Sequence, residues 1–137
     1  MDEVLSSAAK NTAGILLLTI VAVESGGLYV LRIVRGQEQT TTFQHAFARA
    51  GHAHAGVLVT LSLVVQILAD GADLSGLFGF LARSCIPIAA ILMPAGFFFS
   101  SAGRGVTEPN RFIVLLYAGA LSLALGAVSL GIGLLAA

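Results

Sequence analysis

Two histidines separated by a single alanine, His52 and His54, lie in the stretch RAGHAHAGVL, residues 49–58 of a strongly apolar chain. Side chains two positions apart on an α-helix point roughly 200° away from each other. The pair therefore cannot chelate one ion on a regular helix, unlike the i, i+4 histidines of zinc-binding helices. His45, Arg49 and His52 instead share one stripe, because seven residues bring a helix back to within about 20°. We expect His52 and His54 to face different neighbouring helices.

Glu24 is the acidic side chain that could meet one of these histidines. It lies about ten residues, or roughly 15 Å, inside the first apolar run. In an antiparallel hairpin, Glu24 comes level with His54 when Tyr29 is set opposite Arg49. A carboxylate buried among apolar groups is costly, and a hydrogen bond to histidine satisfies it. The sequence predicts a Glu24 and histidine pair, preferably with His54, that binds a proton, an ion or another ligand; a purely structural interhelical hydrogen bond is the alternative.

Other side chains with possible chemistry reach a similar depth. Met93 and Tyr117 each lie about eight residues, or roughly 12 Å, from the ends of their apolar runs. Together with Glu24 and a histidine they could form one layer, although ordinary packing is the alternative for both. If the layer holds a metal, the predicted ligands are Glu24, His52, His54 and Met93. The secondary polar candidates are His45, Arg49, Arg83 and Tyr29.

The elements that position these residues follow from composition. The chain has 137 residues, of which 57% are hydrophobic and 10% charged, which is typical of an integral membrane protein. About 20 apolar residues span the hydrocarbon as a helix, and four runs qualify, at residues 12–34, 46–68, 75–101 and 109–135. Because the connections are short, we predict a single transmembrane domain over residues 1–137. Its fold is an all-α, antiparallel, up-and-down four-helix bundle.

Basic residues predict the orientation in the membrane. Arginines cluster at the first and third connections, at Arg32, Arg35, Arg49, Arg104 and Arg111. The other side has Lys10 and, inside the third run, Arg83, which could pair with an acid or extend to the surface. We therefore expect both termini outside, in a bacterial plasma membrane. The first run is too long for a cleaved signal peptide, and the single Cys85 excludes an intrachain disulfide.

An internal repeat and a stripe of small residues indicate how the helices and copies of the chain pack together. A shift of 69 positions sets Gly27 over Gly96 and Gly36 over Gly105, which suggests two hairpin repeats related by a pseudo-two-fold axis along the membrane normal. The fourth run has a small residue at alternating steps of three and four, at Gly119, Ser122, Gly126, Ser129 and Gly133. Such seams let helices approach closely. Besides the lipid bilayer, we expect a homo-oligomer or a larger membrane complex as partner, and no nucleic acid.

Three functions remain open from the sequence. The first is proton- or cation-linked transport of a small solute or ion, because a membrane carboxylate near a histidine can take up and release a cation. Four spans with one glutamate in AVESGG, residues 22–27, resemble the small multidrug resistance exporters, although the chain has no tryptophan and carries a histidine cluster in its second run.

The second function is binding of a transition metal or a haem, and the third is that of a small accessory subunit in a larger membrane complex. Histidine, glutamate and methionine all bind transition metals. A haem held by two histidines needs them on different helices, whereas all three histidines lie at or near the second run. A homodimer could supply the second ligand. An enzyme is less favoured, because no nucleophile accompanied by a base is recognisable.

Overall fold

The computed structural model describes residues 5–137, which form four α-helices packed in a bundle. The helices are α1 (Ser7–Val34), α2 (Thr42–Gly71), α3 (Gly76–Ser100) and α4 (Ile113–Ala136). Each is long and apolar enough to cross a membrane. The predicted all-α fold of four such helices is therefore confirmed.

Side-chain caps set where the first two helices begin. Ser6 accepts a hydrogen bond from the Ala9 backbone N–H at 3.2 Å, so α1 begins at Ser7. Thr41 and Gln44 form a reciprocal capping box, with the Gln44 N–H donating to Thr41 Oγ1 at 3.1 Å. Helix α2 consequently begins at Thr42, four residues before the predicted apolar run. The extra turn brings His45 into the helix that carries the other two histidines.

Small residues line the contact between α3 and α4, which is the most extensive helix pairing in the bundle. A Cβ added at Gly96 would lie 2.4 Å from the Leu116 backbone nitrogen, and one at Gly126 would lie 2.6 Å from Ile86 Cγ1. Gly119 and Gly126 of the predicted seam of α4 thus face α3, whereas Gly133 meets Leu74 in the second connection. Helix α3 continues through Pro87 and Pro94 to Ser100, so neither proline ends it.

Helix α1 lies at the edge of the bundle and packs almost entirely on α2. Only Ala9, Leu16 and Ile33 of its described side chains are buried, while Leu18 is 76% exposed and Val21 68% exposed. Helix α2 in turn packs on α3. One core cluster lies where α1, α2 and α3 meet, and includes Leu16, Leu58, Val59, Ala90 and Met93. The other is built by α2, α3 and α4, and includes Val65, Ala69, Ala82, Ile86 and Leu130.

Polar contacts tie the connections together at the two ends of the bundle. The Gln44 amide donates to the carbonyl oxygens of Ser101 at 2.9 Å and Gly103 at 2.8 Å, which joins the start of α2 to the third connection. At the other end, the Ser6 N–H donates to Asp70 Oδ2 at 2.7 Å, and Arg83 Nη2 lies 2.7 Å from Asp70 Oδ1. Of the two alternatives for Arg83, the structure shows the ion pair.

The internal repeat remains a prediction. Gly36 and Gly105 both have a left-handed backbone, with φ of 69° and 66°. However, α1 ends two residues before Gly36 and α3 ends five residues before Gly105. Glycine is favoured wherever φ is positive near a helix end, so this agreement follows from local chemistry and does not require a duplication.

Candidate functional site

His52 faces α1, where two consecutive glycines make room for its ring. A Cβ added at Gly27 would lie 3.0 Å from His52 Cε1 and 3.2 Å from Nε2, and one at Gly26 would lie 3.6 Å from Nδ1. His52 Nδ1 is buried and has no hydrogen-bond partner within residues 5–137. A buried polar atom without a partner is costly. This nitrogen is therefore a buried polar atom that the described residues leave unsatisfied.

His54 faces α3 and is already satisfied. Its Nδ1 lies 2.8 Å from the Ala50 carbonyl oxygen, the position of an Nδ1–H donor. Its ring centroid lies 5.0 Å from that of Phe97, which also contacts Phe47 at 5.3 Å. The two histidines thus point to different helices, as the helical angle predicts. The preferred pairing of His54 with Glu24 is not formed within one copy, because His52 is the histidine that contacts α1 and His54 packs on α3.

Glu24 lies on the outside of the bundle. Its side chain is exposed, and it forms no hydrogen bond or ion pair among the described residues. Gly27, three residues later, is the α1 position that contacts His52. Within one copy of the chain, the structure does not place Glu24 against either histidine.

An apolar groove runs between α1 and α3 with α2 at its base. Its volume is about 350 Å³, which lies within the range of small-molecule sites. The lining residues are Thr12, Ile15, Leu16, Thr19, Ala22, Val23 and Gly26 of α1, His52, Ala55 and Val59 of α2, and Pro87, Ala90, Ile91, Pro94 and Phe98 of α3. His52 is the one ionisable residue in this described lining. Thr19 donates to the Leu16 carbonyl oxygen at 2.6 Å, so its hydroxyl is occupied.

The predicted layer of polar residues does not form within one copy. Met93 is buried, and its Cγ lies 2.6 Å from where a Gly119 Cβ would be, so it packs against α4. Tyr117 is 66% exposed, because the small residues of α4, two positions on, are the ones that face α3. No group of three or more His, Cys, Asp or Glu side chains that could hold a metal occurs in the described part of the chain. The predicted metal ligands are accordingly not assembled by a single copy.

The secondary candidates are spread over several surfaces. His45 is half-buried, and its Nε2 is buried without a partner among residues 5–137. Tyr29 is 39% exposed and lines a polar cavity of about 1060 Å³ between the first and third connections. Arg49 is exposed. Sequence reasoning missed Asp70, the partner of Arg83, although an aspartate that closes an apolar run was a signal for such a pair.

Comparison of the chain with protein-family models, with curated proteins and with solved structures gives no match. The likeness to the small multidrug resistance exporters therefore rests only on the number of apolar runs and on AVESGG. Any function has to be argued from the geometry of the groove, the histidines and the exposed charges.

Proposed function

We propose that the chain is an integral membrane protein whose four helices span the bilayer in alternating directions, with both termini outside a bacterial plasma membrane. Two sets of hydrogen bonds support the alternation. Gln44 joins the start of α2 to the end of α3, and Ser6 joins the start of α1 to Asp70 at the end of α2. The arginines of the first and third connections support the orientation.

The activity we propose is proton-linked transport of a small, largely apolar solute through the α1–α3 groove. The observation that carries this proposal is the His52 ring, which lines the groove with a buried Nδ1 that has no partner within residues 5–137. Imidazole binds and releases a proton readily near neutral pH. His52 is therefore the proton-binding group in this proposal, in place of the Glu24 and His54 pair expected from the sequence.

Coupling follows from the low polarity of the groove. An imidazolium in apolar surroundings is costly unless a partner compensates its charge. A solute that accepts a hydrogen bond from His52 favours one protonation state, and its release favours the other. Because α1 packs almost entirely on α2, a movement of α1 relative to α3 would open or close the groove with few other contacts to break.

Proton flux in proteoliposomes tests the proposal. The protein is reconstituted with an entrapped pH-sensitive dye, and a panel of small lipophilic amines and carboxylic acids is added under an imposed pH gradient. We expect at least one solute to stimulate proton movement above that of protein-free vesicles. His52→Gln should reduce the stimulated flux at least tenfold, whereas the matched variant His54→Gln should retain most of it. Equal flux in the two variants, or no stimulation by any solute, would contradict the proposal.

Binding of a metal or a haem is the second candidate, because an imidazole nitrogen without a hydrogen bond is also a possible ligand. Since all three histidines lie on α2, a haem held by two histidines requires a second copy. Absorption spectra and elemental analysis of the purified protein distinguish the candidates. A Soret band or a stoichiometric metal that is lost in His52→Gln would favour the second candidate over transport.

A further inference from the structure

Two opposite charges lie on one exposed face of the α1–α2 pair. The groove lies on one side of the line along which α1 and α2 touch, because Gly26 of α1 and Ala55 of α2 both line it. At 100° per residue, Glu24 lies about 60° beyond Gly27, and Arg49 about 60° beyond His52, in both cases away from the groove. We call this second side the outer hairpin face. Its exposed members are Ile20, Glu24, Leu31, Arg49, Ala53 and Thr60.

Within residues 5–137 of a single copy, both charges lack a partner. Glu24 and Arg49 form no ion pair or hydrogen bond among the described residues. Glu24 lies ten residues from the end of α1 at Val34, or roughly 15 Å. A glutamate side chain is too short to reach the membrane surface from that depth, and a charge facing lipid is expensive. The outer hairpin face therefore requires a covering partner that carries a positive charge.

We propose that the partner is a second copy of this chain, packed through the same face about a two-fold axis along the membrane normal. Such an interface is isologous, so Glu24 of each copy meets Arg49 of the other. Arg49 lies seven residues from the start of α2 at Thr42, or roughly 10 Å deep. Because Gly27 contacts His52, Glu24 is level with a position about six residues after Arg49, a difference in depth of roughly 9 Å that the extended arginine and glutamate side chains bridge together.

The pairing satisfies four charges with one symmetric contact. It also covers α1, the helix with the fewest buried residues. Ala53, about one helical turn beyond Arg49, leaves space for the backbones to approach. Because the groove lies on the other side of the α1–α2 contact, the dimer leaves the groove open. The inference rests on the proposed insertion in a membrane, but it does not depend on the transport proposal.

Energy transfer between labelled copies in lipid bilayers measures the association. Donor- and acceptor-labelled proteins are reconstituted together, and the lipid-to-protein ratio is raised until the transfer falls by half. We expect Glu24→Arg and Arg49→Glu each to lower that midpoint ratio at least tenfold, because each places like charges opposite one another. Glu38→Arg is the matched control, since Glu38 lies in the first connection, 4.0 Å from Arg32. It should leave the midpoint unchanged.

Mixing the two charge-reversal variants tests pairing between copies. Glu24→Arg and Arg49→Glu, each weakly associated alone, should recover the transfer of the unmodified protein when one carries the donor and the other the acceptor. Should a reversal variant fail to fold, Glu24→Gln and Arg49→Gln replace it and should lower the midpoint in the same direction. The inference is overturned if the unmodified protein is monomeric, if the variants associate like it, or if the mixture does not recover.

Discussion

The close approach of α3 and α4 at Gly96 predicts a large effect of one added methyl group. The Cβ of Gly96→Ala would lie 2.4 Å from the Leu116 backbone nitrogen and 2.8 Å from its Cα. Ordinary contact begins near 3.4 Å, so the helices have to separate by about 1 Å, and the obstructing atoms are backbone that cannot rotate away. Overpacking of this kind costs about 1–3 kcal/mol. We expect Gly96→Ala to reduce the free energy of unfolding by that amount.

Gly131→Ala is the matched control, because a Cβ at Gly131 meets nothing within 4 Å. Alanine is favoured over glycine inside a helix by about 0.5–1 kcal/mol, so this variant should be slightly stabilised. Unfolding is followed in mixed micelles of rising SDS content by the reactivity of the single thiol, Cys85, which lies on α3 beside Gly126. If Gly96→Ala unfolds at the same SDS fraction as Gly131→Ala, the backbone contact between α3 and α4 is refuted.

Three further predictions follow from contacts elsewhere. Arg83→Leu leaves the Asp70 carboxylate, whose side chain is 8% exposed, without its ion pair, and should lower the free energy of unfolding by about 3 kcal/mol. Adding Asp70→Asn should recover part of that loss in the same unfolding assay. No recovery would argue against the ion pair. Gln44→Leu removes two hydrogen bonds to the third connection, worth about 2 kcal/mol together. Trypsin should therefore cleave the third connection faster, and unchanged cleavage would contradict a stabilising role of these hydrogen bonds. Gly27→Ala places a Cβ 3.0 Å from the His52 ring, so it should lower the solute-stimulated proton flux without lowering the free energy of unfolding. A parallel loss of flux and stability would instead indicate that Gly27 serves only packing.

The fold class could be predicted because it depends on local composition. Each apolar run is long enough to span a bilayer, and each forms one helix, since a continuous apolar segment satisfies its backbone hydrogen bonds internally. The seam at Gly119, Gly126 and Gly133 could also be predicted, because small residues at steps of seven fall on one stripe of a helix. The start of α2 was missed by four residues, as its cap at Thr41 lies in a polar segment that hydropathy does not recognise.

The site was predicted less well, because it depends on how each helix is rotated about its own axis. The spacing of His52 and His54 shows that they diverge, but their spacing alone does not say which one meets α1. Glu24 was expected inside the bundle on the argument that a buried carboxylate needs a histidine. That argument assumes burial, and α1 packs through Gly27 instead, which leaves Glu24 exposed.

The sequence alone therefore determined that the protein is all-α, with four helices long and apolar enough to cross a membrane, and that His52 and His54 face different neighbours. These properties depend on residues close together in the chain. Only the tertiary structure decided that His52, whose Nδ1 has no hydrogen-bond partner among residues 5–137, lines a groove, that Asp70 pairs with Arg83, and that Glu24 and Arg49 share an exposed face. Those properties depend on contacts between helices, and the approach of small residues such as Gly27 and Gly96 sets which faces meet.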